Sequence, residues 1–263
     1  MINSTSNKQV KRIVSLRSKA KARREEGVYV VEGLRMCREL TPDSVDGLYV
    51  TEGFASDPDN RKWLEGFRPE LVSDVVMNAM ADTRTPQGVL AVVRQRAYTM
   101  DDILRADQGK PLALMVLETI QDPGNLGTII RAGEGAGITG IVMNRDTADI
   151  YNPKVIRSTM GSVFRMPFAY VDDLHAACAL MKNWGVRLFA AHLKGVNNYD
   201  QEDYTDHVGF LIGNEANGLT DGTAALADCL VKIPMEGAVE SLNAAVAASV
   251  LMFESARQRR NRG

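Results

Sequence analysis

The sequence predicts an α/β protein with a small amino-terminal α/β unit and a larger carboxyl-terminal parallel sheet covered by helices. Three observations predict this fold class. Short apolar runs alternate with segments of helical spacing along the chain. In the second half these runs are continuously apolar, which is typical of parallel strands buried on both faces. A polar stretch at residues 94–111 separates the halves and ends at Gly109-Lys110-Pro111.

The first unit is expected to be a domain at residues 1–95. Residues 7–27 carry apolar side chains at helical spacing among basic ones, which predicts an amphipathic helix with a cationic face. The pattern then predicts a strand at 28–31, a helix at 32–40, a strand at 47–51, a helix at 73–81 and a strand at 88–93. These elements together make a small α/β domain.

The second domain is expected at residues 112–263, after a linker at residues 96–111. Strands are predicted at 112–117, 140–143, 186–191, 208–212 and 230–233. Helices are predicted at 126–136, 172–183 and 242–256. Because helical segments separate these apolar strands, we expect a parallel sheet with helices on both faces.

Composition excludes several classes of protein. Of the 263 residues, 45% are hydrophobic and 24% are charged, so a mostly disordered chain is excluded. No stretch approaches the roughly 18 apolar residues of a membrane span, and the amino terminus lacks the apolar segment of a secretory signal. The three cysteines and three histidines lack the spacing of a disulfide framework or a metal site. We therefore expect a cytoplasmic protein with no membrane span and no metal.

Basic residues are concentrated at both ends of the chain. The net charge is −2, but residues 1–24 and 255–263 hold 12 of the 31 basic residues and no acidic residue. Basic ends on an acidic body favour a localised contact with a polyanion such as RNA. The alternative is a pair of solvated tails. The candidate RNA-binding residues are Lys19, Lys21, Arg23, Arg24 and Arg157, and for Arg157 a structural ion pair is an equal alternative.

Three loops rich in Gly, Pro and Asn follow predicted strands, at residues 118–127, 213–219 and 233–243. Ligands of open α/β sheets bind at the carboxyl ends of strands, so these loops are the expected site. The first loop is not a P-loop, because no Gly-Lys-Ser/Thr follows it. The run Gly133–Gly137 ends a helical segment and does not directly follow a strand, so helix termination is favoured there over dinucleotide binding.

The three loops resemble the motifs of a known family. NLGTIIRAGEGAG, which contains Asn125, Gly127 and Arg131, resembles the first motif of the SpoU/TrmH family of SPOUT methyltransferases. IGNEANGL resembles the second motif and IPMEGAVESLNAAVAASVLMFE the third, in family order. The amino-terminal unit is similar to the ribosomal-protein-like RNA-binding domain often attached to these enzymes. The chain departs from the pattern at Ala216, where glycine is usual, and at Ala244-Ala245, where Val-Ser is usual.

The resemblance implies methyl transfer from S-adenosylmethionine to a ribose 2′-hydroxyl of RNA, without a metal. It also implies a trefoil knot in the carboxyl-terminal domain and a homodimer that completes the site. Ribosomal RNA is preferred over transfer RNA as substrate, because the extra domain resembles that of rRNA enzymes. The residues that match catalytic positions are Asn125, Arg131, Glu215, Ser241 and Asn243. The residues that match the cofactor pocket are Gly213, Ile233 and Leu242, through the main chain, and Met235, as a wall.

Alternatives remain open at this point. Arg131 resembles the family arginine at the acceptor, where it either takes the proton or clamps an RNA phosphate; without the motifs, a surface salt bridge would explain it. Ser241 and Asn243 suit N-capping of the last helix equally well. The competing functions are a transfer-RNA methyltransferase, a non-enzymatic RNA-binding or ribosome-assembly protein, and a nucleotide-dependent Rossmann enzyme.

Overall fold

A computed structural model describes residues 1–106 and 109–262, and the chain divides into two compact units. The first unit comprises Met1–Arg96 and Asp149–Gly161, and the second comprises Ala97–Ala148 and Ser162–Gly263. Residues 107 and 108 of the predicted linker, and residue 263, lie outside the described residues. Among the described residues, no helix combines the length and the apolar character that crossing a membrane requires.

The helices and strands alternate along most of the chain. The helices are α1 (Lys8–Ser18), α2 (Ala20–Glu26), α3 (Leu34–Cys37), α4 (Glu52–Ser56), α5 (Pro58–Leu64), α6 (Asp74–Met80), α7 (Met100–Leu104), α8 (Pro123–Ala136), α9 (Pro153–Thr159), α10 (Leu174–Asn183), α11 (Asp221–Ala224) and α12 (Ala244–Arg262). The strands are β1 (Val28–Glu32), β2 (Val45–Thr51), β3 (Pro69–Val72), β4 (Val89–Arg94), β5 (Ala113–Leu117), β6 (Gly140–Asn144), β7 (Phe168–Val171), β8 (Arg187–Ala191), β9 (Asn197–Asn198), β10 (Val208–Ile212) and β11 (Cys229–Lys232).

The first unit contains a four-stranded mixed sheet in the order β1-β4-β2-β3. Strand β4 is antiparallel to β1 and β2, and β3 is parallel to β2. Helices α1 and α6 contribute to the core of this unit, where the apolar face of α1 places Val10, Ile13 and Leu16. Of the basic residues of α1, Lys8 and Lys11 are exposed, whereas Arg12 and Arg17 are partly buried, so only part of the expected cationic face is left to solvent.

The single helix predicted at residues 7–27 is two helices, and this prediction was wrong. Lys19 has an extended backbone, with φ −122° and ψ 115°, and separates α1 from α2. Arg23 explains how the break is stabilised. Its guanidinium donates hydrogen bonds to the carbonyl oxygens of Leu16 at 2.7 Å and Arg17 at 3.2 Å, which are among the groups that the end of a helix leaves unsatisfied.

Residues 149–161 follow β6 in the sequence but lie in the first unit, whereas the predicted boundaries place them in the second domain. Asp149 forms an ion pair with Arg23, with an oxygen–nitrogen distance of 2.6 Å. The Tyr151 ring packs against the Tyr29 ring of β1, with 4.4 Å between the ring centroids. The segment thus has a buried ion pair and an aromatic contact, which the sequence pattern does not encode.

The second unit contains a seven-stranded sheet in the order β7-β6-β5-β10-β8-β11-β9, and every pairing in it is parallel. Strands β5 and β10 at its centre are buried along their whole length, as expected of continuous apolar runs. The predicted fold class is confirmed. The prediction missed β7, although its four residues are apolar, and it missed β9, whose two asparagines are too few and too polar to give an apolar pattern.

Strand β11 lies between β8 and β9, although β8 and β9 are joined only by residues 192–196. This connection passes very close to β11, since a Cβ on Gly195 would lie 2.7 Å from the carbonyl carbon of Val231. A side chain larger than glycine would not fit there. This is a local crossing of the kind that the implied trefoil knot needs, and the knot itself stays a prediction.

Candidate active site

Helix α8 begins directly after the first loop. The Asp122 carboxylate accepts a hydrogen bond from the Asn125 backbone N–H at 2.8 Å, and Pro123 occupies the first helical position. This N-cap places the Asn125 side chain in the first turn of α8. Arg131 follows six residues later on the same helix, nearly two turns along it.

Three of the five predicted catalytic residues form one hydrogen-bonded chain. The Asn125 amide nitrogen donates to the Glu215 carboxylate at 2.9 Å, and the Asn243 amide nitrogen donates to the Asn125 amide oxygen at 2.9 Å. Each residue comes from a different loop, after β5, β10 and β11 respectively. Because parallel strands present their carboxyl ends at one edge, three distant motifs meet there.

The Glu215 carboxylate also binds the backbone of the first loop. It accepts hydrogen bonds from the N–H groups of Gln121 at 3.4 Å and Asp122 at 3.3 Å. Partial burial acts to raise the pKa of Glu215, but the Asn125 amide and the backbone N–H groups outweigh it, so the pKa is lowered. Glu215 is therefore a charged acceptor at neutral pH, which keeps the Asn125 amide in one orientation.

Arg131 and Ser241 stand apart from this chain of hydrogen bonds. Both are exposed, and neither side chain makes a hydrogen bond or an ion pair with a described residue. The surface salt bridge considered for Arg131 thus has no partner in the described part of the chain. Asn243 does cap α12, since its side-chain oxygen accepts from the N–H groups of Ala245 and Val246, so capping and a site role coexist.

The second loop is closed by a glycine that has no room for a side chain. A Cβ on Gly213 would lie 2.1 Å from the backbone nitrogen of Leu219. The left-handed conformation in this loop falls on Gly218, with φ 69°, and not on Ala216. The departure from the family pattern at Ala216 therefore introduces no backbone strain, and its N–H bonds to the Asn214 side chain at 2.9 Å.

The third loop carries the other predicted cofactor residues. Ile233 directly follows β11, and Ile233, Met235 and Leu242 are each half-buried. The backbone N–H groups of residues 235–242 make no hydrogen bond within the described part of the chain. Apolar side chains next to free backbone groups suit a heteroaromatic ring with polar edges.

Glu118 shapes the site and was not identified from the sequence. Its buried carboxylate accepts hydrogen bonds from the Thr220 N–H and hydroxyl, both at 2.8 Å, and from the Thr223 hydroxyl at 2.5 Å. These bonds join the first loop to the end of the second. An acidic residue directly after a fully apolar strand was the available signal, because a buried carboxylate needs such donors.

The predicted RNA-binding residues do not all share one environment. Arg23 is only 3% exposed, and its guanidinium is used by Asp149 and two backbone carbonyls. The prediction that Arg23 binds RNA is therefore wrong. Arg157 forms the alternative ion pair, with Asp82. Lys19, Lys21 and Arg24 are exposed, and of these Lys21 has a loose pair with Glu25 at 3.7 Å.

Other arginines in the basic ends also have structural roles. Arg17 donates to the carbonyl oxygens of residues 79–81 at the end of α6. Arg12 pairs with Glu26 and Asp46. Arg259, near the end of α12, donates to four backbone carbonyls of residues 111–112, 204 and 206, and burial lowers its pKa. Charge counts alone therefore overstate the cations that are free for RNA.

Comparison with known protein families shows the family to which the chain belongs. Residues 113–253 match the SpoU rRNA methylase family. The chain belongs to the SpoU rRNA methylase family. Residues 7–91 match the MRM3-like substrate binding domain. The resemblance drawn from three motifs is thus confirmed, and the amino-terminal unit has its own match.

Relatives of this SpoU chain cover nearly its whole length. The 23S rRNA (guanosine(2553)-2'-O)-methyltransferase RlmP of Bacillus subtilis is 29% identical over 260 residues, which are 96% of this chain and 97% of the relative. The SpoU methyltransferase AviRb of Streptomyces viridochromogenes has a TM-score of 0.85 at 28% identity, covering 97% of this chain and 98% of its own. An AdoMet-bound rRNA methyltransferase from Sinorhizobium meliloti has a TM-score of 0.84 at 30% identity, covering 97% of each chain.

Proposed function

We propose that this protein transfers a methyl group from S-adenosylmethionine to a ribose 2′-hydroxyl in ribosomal RNA. The observation that carries the proposal is the hydrogen-bonded chain Asn243–Asn125–Glu215 at the sheet edge of a SpoU fold. Asn125 lies on the same helix, α8, as Arg131, a cation that has no partner in the described part of the chain. Similarity over 96% and 83% of this chain to two enzymes named as 23S rRNA 2′-O-methyltransferases supports the ribosomal substrate.

The third loop fits the cofactor that this reaction needs. Adenosine has an apolar face and polar ring edges, and the half-buried Ile233, Met235 and Leu242 lie near backbone groups without partners in the described part of the chain. Gly213 lets the second loop close tightly against Gly218 and Leu219. When bound, S-adenosylmethionine supplies a methyl group already activated on a positively charged sulfonium, so no metal is needed.

The chain's own residues would act on the acceptor. A ribose hydroxyl is a poor nucleophile and must lose its proton as it attacks, so its orientation matters greatly. We assign Arg131 to hold an RNA phosphate through its planar fork, because a guanidinium is a poor proton acceptor. Asn125, whose amide is fixed by Glu215 and Asn243, orients the acceptor ribose. Ser241, exposed before α12, contacts the RNA side of the site.

The first unit would supply RNA affinity. Lys19, Lys21 and Arg24 are exposed on and beside α2 and can bind phosphates electrostatically. Arg157 is left out of this set, because Asp82 already binds its guanidinium. An enzyme of ribosomal RNA acts where ribosomes are assembled, so we place it in the cytoplasm.

A homodimer would complete the site. Val246 and Phe253 on α12 are 48% and 49% exposed, and they lie seven residues apart, on one face of the helix. Two exposed large apolar side chains on one face suit a self-complementary interface.

Val246→Glu with Phe253→Glu should produce a monomer by light scattering and lower activity. Leu180→Glu, at another exposed apolar position, should leave the dimer intact; a monomeric parent protein would contradict the assembly.

The function is tested with labelled S-adenosylmethionine and RNA from cells that lack this protein. With a chelator present, label should enter ribosomal RNA, and nuclease digestion should place it in a 2′-O-methylated dinucleotide. Label in transfer RNA alone would favour the alternative substrate. RNA binding without any binding of S-adenosylmethionine by calorimetry would favour the non-enzymatic alternative and overturn the proposal.

A further inference from the structure

Thr119, in the first loop, has a backbone conformation that threonine rarely adopts. Its φ is 58°, in the left-handed region, and among the described residues only Met160 is another non-glycine residue with positive φ. A β-branched side chain makes this conformation a genuine outlier. Such conformations persist only where the surrounding structure imposes them, and they concentrate at functional sites.

Asn144, the last residue of β6, supplies much of that restraint. Its side-chain oxygen accepts the Thr119 N–H at 2.8 Å, and its amide nitrogen donates to the Thr119 hydroxyl at 2.8 Å. The same oxygen accepts from the Thr147 hydroxyl at 2.8 Å, which keeps the amide from rotating. One side chain thus binds two polar groups of the strained residue from the neighbouring strand.

Asn214, at the start of the second loop, binds the backbone carbonyl of Thr119. Its amide nitrogen donates to the Thr119 carbonyl at 2.9 Å, while its oxygen accepts from the Ala216 N–H. The N–H, carbonyl and hydroxyl of Thr119 are therefore all held by two asparagine side chains. Asn144 lies outside all three motifs, and Asn214 lies within the second motif but is not one of the predicted site residues.

We propose that Asn144 is a positioning residue for methyl transfer, which acts by holding Thr119 in its left-handed conformation. The inference rests on the proposed function. Two and three residues after Thr119, the N–H groups of Gln121 and Asp122 donate to Glu215, and Asp122 then caps α8. The conformation of Thr119 sets the direction of this segment. Asn144 therefore fixes where α8 begins and where the Asn125 amide lies, without contacting the substrate.

The test uses Asn144→Ala in two backgrounds. We expect this substitution to lower kcat by about 10- to 100-fold, because small misplacements of an oriented group are costly, while KM for RNA and the affinity for S-adenosylmethionine stay near the parent values. Glycine adopts positive φ readily. In Thr119→Gly the cost of Asn144→Ala should therefore fall to less than about threefold. Thr119→Ala, which keeps the strain, is the matched control and should show the full loss.

A second measurement needs no substrate. Hydrogen exchange of the amides of residues 120–122 should be faster in Asn144→Ala than in the parent protein, and the difference should shrink in the Thr119→Gly background. If Asn144→Ala does not fold, Asn144→Asp replaces it, because it keeps the acceptor for the Thr119 N–H but loses the donor to the hydroxyl.

The outcomes separate the two proposals. An equal cost of Asn144→Ala in the glycine and alanine backgrounds, or unchanged exchange at residues 120–122, would show that Asn144 does not act through Thr119 and would overturn the inference. A parent protein that transfers no methyl group to RNA, yet shows the background-dependent exchange, would instead overturn the proposed function and leave the conformational role of Asn144 standing.

Discussion

The loops at the sheet edge of the second unit and the basic helices of the first unit differ in how their polar side chains are arranged. At the sheet edge, residues chosen by motif come together: Asn125, Glu215 and Asn243 form one hydrogen-bonded chain. In the basic helices, residues chosen by charge have divergent environments, and Arg23 is buried while Arg24 beside it is exposed. A motif constrains mutual geometry, whereas a count of charges says nothing about partners.

The basic helices also divide largely by residue type, with the unpaired Arg24 and the loosely paired Lys21 as exceptions. Arg12, Arg17 and Arg23 bind carboxylates or several backbone carbonyls. By contrast, Lys8, Lys11 and Lys19 are exposed and form no ion pair with a described residue. A planar fork of donors satisfies several acceptors at once, while an ammonium group on a flexible stem stays hydrated. For this segment, lysine is therefore the better indicator of an available cation.

The largest expected effect is at Arg131, where the motif selects a cation that the fold leaves free of any described partner. Arg131→Ala should lower methyl transfer by about 10²-fold or more, because loss of the phosphate contact leaves the acceptor ribose misplaced. Arg131→Lys should also be severely impaired, because it keeps the charge but loses the planar fork. Turnover at saturating RNA and cofactor is the measurement.

Thermal unfolding and calorimetry are the controls for the Arg131 variants. The melting temperature and the affinity for S-adenosylmethionine should stay unchanged, since Arg131 is exposed and has no partner in the described part of the chain. Near-normal turnover of Arg131→Ala would remove this residue from the catalytic set. The case that motifs identify site residues better than charge counts would then depend on the hydrogen-bonded chain alone.

The second largest expected effect is at Arg23, which the charge pattern wrongly assigned to RNA binding. Arg23→Met should destabilise the protein by about 3 kcal/mol, because it leaves Asp149 without its partner and frees two carbonyls at the end of α1. Urea unfolding measures the loss. Arg24→Met, one residue away and exposed, is the matched control and should change stability by less than about 0.5 kcal/mol. Equal effects at the two positions would contradict the buried role of Arg23.

Most of the fold could be predicted, because buried strands and their helices leave a strong periodic pattern. β10 was predicted with its observed ends, and β5 and α8 within a few residues. The split at Lys19 and the packing of residues 149–161 in the first unit were missed, since they depend on particular side-chain contacts of Arg23 and Tyr151. No local pattern records such an interaction.

The site was predictable to the extent that its residues carry a motif. Asn125, Glu215 and Asn243 were found in this way, although their mutual hydrogen bonds were not. Glu118 and Asn144 were missed because they act on the backbone of other loops. The role of Asn144 is inferred from the positive φ of Thr119. This angle is a property of the folded chain, and a threonine in the sequence does not predict it.

The smallest expected effect is at the exposed cations of the first unit, which the charge pattern of the sequence predicts to bind RNA. Charge reversal of Lys19, Lys21 and Arg24 to Glu should weaken RNA binding, because a phosphate that no cation neutralises keeps its condensed counterions. The slope of log affinity against log salt should become shallower by about two to three. Stability and S-adenosylmethionine affinity should not change, since these side chains are exposed.

The matched control for that charge reversal is Arg61, Lys62 and Arg68, reversed together. These three cations lie in the same unit, are exposed and form no ion pair with a described residue, and their reversal changes the net charge by the same amount. If RNA is held at α2, only the first triple variant flattens the salt dependence. If both triples weaken binding equally, RNA responds to overall charge, and α2 is a solvated face. The first unit would then need another RNA-binding surface, because Arg12, Arg17 and Arg23 already bind protein acceptors.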